Sequence, residues 1–209
     1  MLLHCIRHGQ STYNADGRIQ GQSDVPLSEL GTRQAEAVGD VLARLPVAAI
    51  YSSPLRRALE TARLTAELLG LEVRTDRRLK EINAGVWEDR PRSEVERLFP
   101  QDIANWRSGD LDFTIPGGES RRDLLRRGMA AMQSIIRAGW GQVAVFAHGG
   151  LLVVTLKALL KIPRQEPPFD LENGSITTLA VDGDGRAELV SLDQVDHLRD
   201  VDSAGDGQG

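Results

Sequence analysis

The sequence predicts a single α/β domain, built as a three-layer sandwich with a mostly parallel sheet and helices on both faces. Its 209 residues suffice for one compact domain, and 41% of them are apolar, which supports a packed core. Short apolar runs alternate with amphipathic stretches, a pattern typical of strands joined through helices. Strands connected in this way lie in a largely parallel sheet. No internal repeat or linker interrupts the alternation.

The first half of the chain reads as alternating strands and helices. Ser28 is a good N-cap, Pro54 fits the first turn of a helix, and Gly70 fits a helix C-terminus. The predicted elements are a strand at 2–6, a polar loop at 10–26, a helix from 28 to about 45, a strand at 48–51, a helix from 52 to 69 and a short strand at 71–74.

The second half begins with a segment of different character, at about 83–122. It is rich in arginine and is broken by prolines and glycines, which predicts short helices and loops inserted over the core and covering the substrate. The elements predicted after it are a helix at 119–138, a strand at 142–147, a helix at 151–160 and a hairpin of strands at 175–181 and 187–192. The domain is expected to span residues 1–198, followed by a disordered acidic tail at 199–209.

Composition excludes several classes of protein. The formal net charge of −5 provides no basic field for nucleic acid or for an anionic membrane surface. The single cysteine, Cys5, excludes an intrachain disulfide and a multi-cysteine metal site, and its place in an apolar strand predicts an inert thiol. With no apolar run of membrane-spanning length and no signal peptide, the sequence predicts a cytoplasmic protein.

Two of the apolar strands end in the same way, with a histidine followed by a glycine. His8 and Gly9 follow the first strand, and His148 and Gly149 follow the strand at 142–147. Glycine permits a tight turn and the close approach of a ligand, and ligands of parallel sheets bind beyond the carboxyl ends of the strands. If the two strands are neighbours, both imidazoles face one crevice. The alternative is that each histidine only makes structural hydrogen bonds.

Arginines near these strand ends predict an anion site. Arg7 adjoins His8, while Arg56 and Arg57 begin the helix that follows the second strand, where the helix N-terminus adds positive potential. Guanidinium groups bind phosphate oxygens in a bidentate way, and the same positive cluster would repel a metal cation. Spacing alone does not choose between Arg56 and Arg57, and a solvated helix face is the alternative for both.

Phosphoryl transfer at such a site needs a nucleophile and an acid for the leaving oxygen. A neutral imidazole that is held in one tautomer can be the nucleophile. Glu81, at the edge of the inserted segment, is the best-placed carboxylic acid in the sequence. Exposed glutamates are common, so its position alone does not establish a role.

At this point the sequence resembles the histidine phosphatase (phosphoglycerate mutase-like) superfamily. The resemblance covers residues 1 to about 198. It is highly specific, because several motifs of the family occur in the order that the family has. They are 7–14 (RHGQSTYN), 27–31 (LSELG), 51–62 (YSSPLRRALETA), 79–81 (LKE) with Gly85 and 87–88 (WE), 116–120 (PGGES), 148–150 (HGG), 173–176 (NGSI) and 196–198 (DHL). The resemblance implies the phosphoglycerate mutase-like fold and a phosphoryl-transfer activity.

The resemblance also implies a role for individual residues. His8 is the phosphorylated nucleophile, and Glu81 is the acid and base. The remaining residues that the resemblance assigns to the phosphate pocket or to substrate contacts are Arg7, Arg57, His148, Asn14, Gln20, Gly21 and Gly149. The family requires neither a metal nor another cofactor, and its substrates are small phosphorylated metabolites.

A phosphohistidine has two outcomes, hydrolysis by a phosphatase or return to a bound substrate by a mutase. Mutases that resemble the dimeric glycolytic type carry a longer, basic and proline-rich insertion after the acid glutamate. The stretch between Glu81 and Glu119 is shorter and lacks that feature, and the motifs around Trp87 and at 116–120 resemble the phosphatase branch. A phosphatase is therefore expected, with a mutase as the alternative.

The sequence also leaves other functions and residue roles open. A phospho-ligand binding module would not need both His8 and Glu81, and a metal-dependent hydrolase would need carboxylates that are absent from the sequence next to either histidine. The arginines of the 83–122 segment either recognise a second anionic group or form a solvated basic face, and its tryptophans either line the pocket or pack the segment. The physiological substrate is not readable, and a homodimer is left open.

Overall fold

The computed structural model describes residues 1–163 and 169–203, and the strands within these ranges form one mixed sheet. The strands are β1 (Leu2–Arg7), β2 (Ala49–Ser52), β3 (Val73–Thr75), β4 (Gln142–Ala147), β5 (Ile176–Val181) and β6 (Ala187–Gln194). Their order across the sheet is β3-β2-β4-β1-β5-β6. The first four in that order run parallel, whereas β5 and β6 are antiparallel to their neighbours. The predicted mostly parallel α/β sheet is confirmed.

Helices connect most of these strands. They are α1 (Thr12–Ala15), α2 (Glu29–Leu42), α3 (Arg56–Leu69), α4 (Arg92–Leu98), α5 (Pro100–Arg107), α6 (Arg121–Arg137), α7 (Gly149–Leu159) and α8 (Arg199–Ser203), with 3-10 turns at Arg77–Leu79, Gly85–Trp87 and Asp196–Leu198. Within the described ranges, none of the helices has both the length and the apolar character that crossing a membrane requires.

The core lies in two layers, one on each face of the sheet. Val145 of β4 faces a layer built with α6 and α7, which includes Met132 and Leu151. Its neighbour Phe146 faces the opposite layer, which is built with α2 and α3 and includes Val38. Successive strand residues point to opposite faces, so a continuous apolar strand is the pattern of a sheet covered on both sides. The three-layer arrangement follows from this alternation.

The register between β1 and β4 determines how close together the two histidines that follow these strands lie. Arg7 pairs with Ala147 in the parallel ladder, so His8 and His148 leave the sheet side by side. The backbone N–H of His8 donates to the carbonyl of Ala147 at 3.1 Å. Strand β2 lies on the other side of β4, and the N–H of Ser53 donates to Phe146 at 2.9 Å. Three strands therefore deliver their following residues to one edge.

Several element boundaries differ from the sequence-based expectation. Helix α3 begins at Arg56 with Leu55 as its N-cap, so Pro54 precedes the helix instead of lying in its first turn. Helix α6 begins only after Ser120, whose side chain accepts from the N–H of Asp123 in a capping box. Helix α7 begins at Gly149, directly after His148, which is its N-cap.

The stretch predicted as a tail at 199–209 begins with a short helix. Residues Arg199–Ser203 form α8, which continues from the turn at Asp196–Leu198 and packs near α2. Leu198 is buried at this point and anchors the turn, so the helix starts from a fixed residue. The rest of the predicted tail, at 204–209, lies outside the described residues.

The 83–122 segment contains α4, α5 and a small core of its own. Trp87 is buried there with Val95 and Ile115. Its ring meets the ring of Trp106 edge-on, with the centroids 5.9 Å apart. Both tryptophans therefore pack the segment, as the packing interpretation predicted.

Candidate active site

His8 is buried in the turn that follows β1, and its ring is held in one tautomer. Its Nδ1 donates to the carbonyl of Gly9 at 2.6 Å, and its Nε2 accepts from Nε of Arg57 at 3.1 Å. Because a guanidinium group is only a donor, Nε2 must carry a lone pair. Burial, followed by the charges of Arg57 and Arg7, holds the pKa of His8 well below its usual 6.5. The ring is thus a neutral imidazole with an available Nε2.

Arg57 is fully buried at the start of α3, and each of its nitrogens is engaged. Besides the bond to His8, it donates to the carbonyl of Ser23 at 2.8 Å and to that of Gly21 at 2.9 Å. Burial lowers the pKa of this guanidinium to about 10, and the group remains charged at neutral pH. The loop that contains Gly21 therefore positions a cation directly beside His8.

Arg56 differs sharply from its neighbour Arg57. Its side chain is 55% exposed and forms an ion pair with Glu60 one helical turn later. Glu60 also accepts from the backbone N–H of Leu27 at 2.9 Å. The burial of Arg57 and the exposure of Arg56 resolve the choice that spacing left open.

Arg7 supplies a second, partly buried cation at the same edge. One of its terminal nitrogens donates to the carbonyl of Leu171, whereas its Nε is buried without a partner among the described residues. A Cβ placed on Gly149 would meet this Nε at 3.4 Å, so the backbone that starts α7 runs close to the guanidinium. The pKa of Arg7 is lowered from its usual value, because the effect of burial outweighs the opposing effect of nearby carboxylates, which include Glu81.

His148 lies next to His8 and is also fully buried. The two ring centroids are 5.1 Å apart, with an angle of 61° between the planes. Its Nε2 lies 2.8 Å from Oγ of Ser53, and its Nδ1 has no partner within the described ranges. Burial and then the charge of Arg57 hold the pKa of His148 well below 6.5, so this ring is neutral as well.

Glu81 reaches this edge from the turn that precedes the 83–122 segment. Its carboxylate accepts from the N–H groups of Gly150 at 2.9 Å and Leu151 at 3.1 Å, in the first turn of α7. It also accepts from the N–H of Ile82 at 2.9 Å. These amides fix the orientation of the carboxyl group toward the start of α7.

The other predicted residues form a polar network around His8. Oδ1 of Asn14 lies 3.3 Å from Nδ2 of Asn173, which donates to the carbonyl of His8 at 3.0 Å. Gln20 accepts from Oγ of Ser11 at 2.7 Å, and Ser11 caps the short helix that contains Asn14. The structure thus brings all of the sequence-predicted site residues to one edge of the sheet.

Three residues with clear contacts in the site were not predicted as site residues. Thr61 accepts from the N–H of Gly9 at 3.1 Å and donates to the carbonyl of Arg57 at 2.8 Å, so it links the His8 turn to α3. Ser53 contacts His148, and Asn173 contacts His8. All three lie inside quoted motifs, which is the one signal that would have indicated them.

Most arginines of the inserted segment are engaged at its surface. Arg90, Arg107 and Arg122 form ion pairs with Glu94, Glu96 and Asp112. Arg121 lies over the ring of Trp106 at 3.6 Å. These contacts favour a solvated and paired basic face. Within the described ranges, no three His, Cys, Asp or Glu side chains are grouped so as to hold a metal ion.

Relatives of known name match nearly the whole chain. A glucosyl-3-phosphoglycerate phosphatase from Mycolicibacterium vanbaalenii is 37% identical over 194 residues, which cover 89% of this chain and 86% of the relative. A Yersinia pestis protein named "Probable phosphoglycerate mutase GpmB" is 39% identical over 183 residues, which cover 85% of this chain and 83% of the relative.

Solved structures share the fold over similar lengths. Mycobacterial glucosyl-3-phosphoglycerate phosphatase in complex with VO3 has a TM-score of 0.84 and 35% identity, with 93% of this chain and 99% of that chain covered. Bacillus stearothermophilus YhfR has a TM-score of 0.87 and 30% identity, covering 94% and 98%. Residues 3–194 match the family described as the histidine phosphatase superfamily, branch 1. This chain therefore belongs to the histidine phosphatase superfamily.

Proposed function

We propose that the chain is a phosphatase that hydrolyses phosphate monoesters of small metabolites through a phosphohistidine on His8. The observation that carries the proposal is the state of His8: a buried, neutral ring whose Nε2 lone pair lies beside a buried guanidinium group. A neutral imidazole in a fixed tautomer is a competent nucleophile. A site with two cationic side chains and two neutral histidines is suited to a phosphate dianion.

In the first step, Arg7 and Arg57 bind the phosphoryl oxygens in place of their present partners. Nε2 of His8 attacks phosphorus, and the P–O bond to the leaving alcohol breaks. Protonated Glu81 transfers its proton to the leaving oxygen, which departs as an alcohol.

In the second step, water attacks phosphorus of the phosphohistidine. Glu81 is now a carboxylate and accepts a proton from the water, while the P–N bond breaks and inorganic phosphate is released. His8 returns to its neutral state, with Nδ1–H again donating to Gly9. Charge stabilisation in both steps comes from the arginines and from His148, so no metal takes part in the proposed mechanism.

The relatives that are named for glucosyl-3-phosphoglycerate support a small phosphorylated sugar or glycerate derivative as substrate. A panel of phosphate monoesters, assayed with and without a metal chelator, tests the proposal. We expect phosphate release from several of these compounds at rates that the chelator does not change. The proposal would be contradicted if the chelator abolished turnover, or if no compound in the panel released phosphate. The expected cytoplasmic location belongs to the same proposal and is testable by cell fractionation.

A mutase is the second candidate, because relatives named as probable phosphoglycerate mutases match at comparable identity. The decisive comparison uses 3-phosphoglycerate with a bisphosphate primer, and measures phosphate release against isomer formation. A phosphatase releases phosphate with little isomerisation. Rapid isomerisation with little released phosphate would establish the mutase instead.

A further inference from the structure

The hydroxyl group of Ser53 has a single available acceptor in the described structure. Ser53 is fully buried, and its Oγ accepts from the backbone N–H of Leu55 at 3.2 Å. The other partner of Oγ is Nε2 of His148, at 2.8 Å. A buried hydroxyl that lacks an acceptor is costly, so its hydrogen is expected to point to Nε2 of His148.

This direction of the hydrogen bond determines the tautomer of His148. If Nε2 accepts from Ser53, the proton of the neutral ring must lie on Nδ1. The opposite direction would leave two buried groups unpaired in the described structure, the Ser53 hydroxyl hydrogen and the lone pair of Nδ1, whereas this direction leaves only the Nδ1–H. Nδ1 is itself buried and without a partner among the described residues, and the ring lies 5.1 Å from that of His8. The Nδ1–H of His148 can therefore donate to a group that binds beside His8.

We propose that Ser53 is a positioning residue that holds His148 as the Nδ1–H tautomer, ready to donate to an oxygen of the transferring phosphoryl group. The inference rests on the proposed function, because the phosphoryl group on His8 would supply the missing acceptor. It assigns Ser53 a role in the reaction through His148, which its hydroxyl group contacts. In a neutral histidine, the hydrogen bond made by one ring nitrogen determines whether the other nitrogen carries the proton.

The direct test is the tautomer of His148 in the intact, unliganded chain. Long-range 1H–15N correlation spectra distinguish a ring protonated at Nδ1 from one protonated at Nε2, and His148→Gln assigns the signal by its loss. We expect the proton on Nδ1, and a new acceptor for it when orthovanadate is added as a phosphoryl mimic. A proton on Nε2 in the wild-type chain would overturn the inference, and this measurement requires no variant of Ser53 to fold.

A pair of adjacent serines provides a matched comparison. Ser53→Ala removes the donor to His148, whereas Ser52→Ala removes an equally buried hydroxyl that donates to the carbonyl of Ser53 at 2.9 Å. We expect Ser53→Ala to give a mixture of tautomers and to lower kcat about tenfold with KM nearly unchanged, while Ser52→Ala keeps both. An unchanged tautomer in Ser53→Ala, or an equal loss of kcat in both variants, would contradict the role.

The same experiments separate this inference from the proposed function. An active phosphatase whose His148 carries its proton on Nε2 would overturn the inference alone. A wild-type chain without phosphatase or mutase turnover would overturn the proposed function, and with it the role of Ser53 in the reaction.

Discussion

Arg57 donates from Nε to Nε2 of His8 across 3.1 Å, and both side chains are buried. A guanidinium group has no lone pair to offer, so this contact requires that Nε2 of His8 carry no proton. The bond from Nδ1 of His8 to the carbonyl of Gly9 places the remaining proton on the opposite side of the ring. The cation that binds phosphate in the proposed mechanism thus also keeps the nucleophile in its reactive form.

Replacement of His8 is expected to remove turnover without unfolding the chain. His8→Asn lacks the nucleophilic nitrogen, so kcat should fall by about 10³-fold or more. Acid-labile phosphate should be found by mass spectrometry after rapid quenching of the wild-type enzyme and be absent from the variant. A thermal melt close to that of the wild type is the control. A variant that retains most of its activity would contradict the nucleophile assignment.

Arg57→Ala should be far more damaging than Arg56→Ala. Loss of a buried charge-assisted donor to the phosphoryl group should cost about 2–4 kcal/mol of transition-state stabilisation, measured from kcat/KM. Arg56 is exposed, and within the described residues its side chain pairs only with Glu60, so its removal should change kcat/KM little. Equal losses in the two variants would show that Arg57 has no special role.

Glu81→Gln should affect substrates according to their leaving groups. An alkyl phosphate leaves as a strong base and needs the proton of the acid, whereas a nitrophenyl phosphate does not. We therefore expect a large loss of kcat for the alkyl ester and a small loss for the aryl ester. Glu88→Gln is the control, because Glu88 accepts only from the N–H groups of Gln22 and Ala84 in the described structure. Equal losses for both substrates in Glu81→Gln would leave the general acid unidentified.

Arg127 holds the backbone that carries Glu81, and its removal should resemble a weaker form of Glu81→Gln. Its guanidinium donates to the carbonyls of Arg78 at 2.9 Å and Glu81 at 2.7 Å, and it pairs with Glu119. Arg127→Met should lower the free energy of unfolding by about 1–3 kcal/mol and reduce kcat mainly for alkyl phosphates. Arg126→Met is the control, since the side chain of Arg126 is 80% exposed. A loss of stability without any preference between alkyl and aryl substrates would limit Arg127 to a structural role.

The two buried histidines should make the fold less stable in weak acid. Burial and neighbouring cations hold the pKa values of His8 and His148 well below 6.5 in the folded chain. Below pH 6.5 the two histidines bind protons in the unfolded chain but stay neutral in the folded chain. Their contribution to the free energy of unfolding is therefore present above that pH and is lost as the pH falls. Each histidine should steepen the fall in the free energy of unfolding as the pH drops through and below 6.5. Urea unfolding of the wild type and His8→Asn checks this, and equal pH slopes would contradict it.

The sequence by itself determined the succession of elements and the location of the chemistry within them. Apolar runs with no polar face predicted strands buried on both sides, and β4 matches its predicted bounds at 142–147. Capping chemistry located the helix ends well where a side chain does the capping, as Ser28 does for α2. It located them less well where the N-cap residue has no capping side chain, as at Leu55 of α3. Local patterns are enough for such features because they depend on neighbours along the chain.

The tertiary structure alone decided which groups touch. The choice between Arg56 and Arg57 depends on which face of α3 meets the sheet edge, and adjacent helical residues point in different directions. The contact of Ser53 with His148 joins the residues that follow two neighbouring strands, β2 and β4, and the tautomers follow from such contacts. The hydrogen bonds of Arg127 likewise join α6 to a distant turn. Hydrogen bonds act over about 3 Å, and distances of that size between remote residues are fixed only when the sheet order and helix packing are complete.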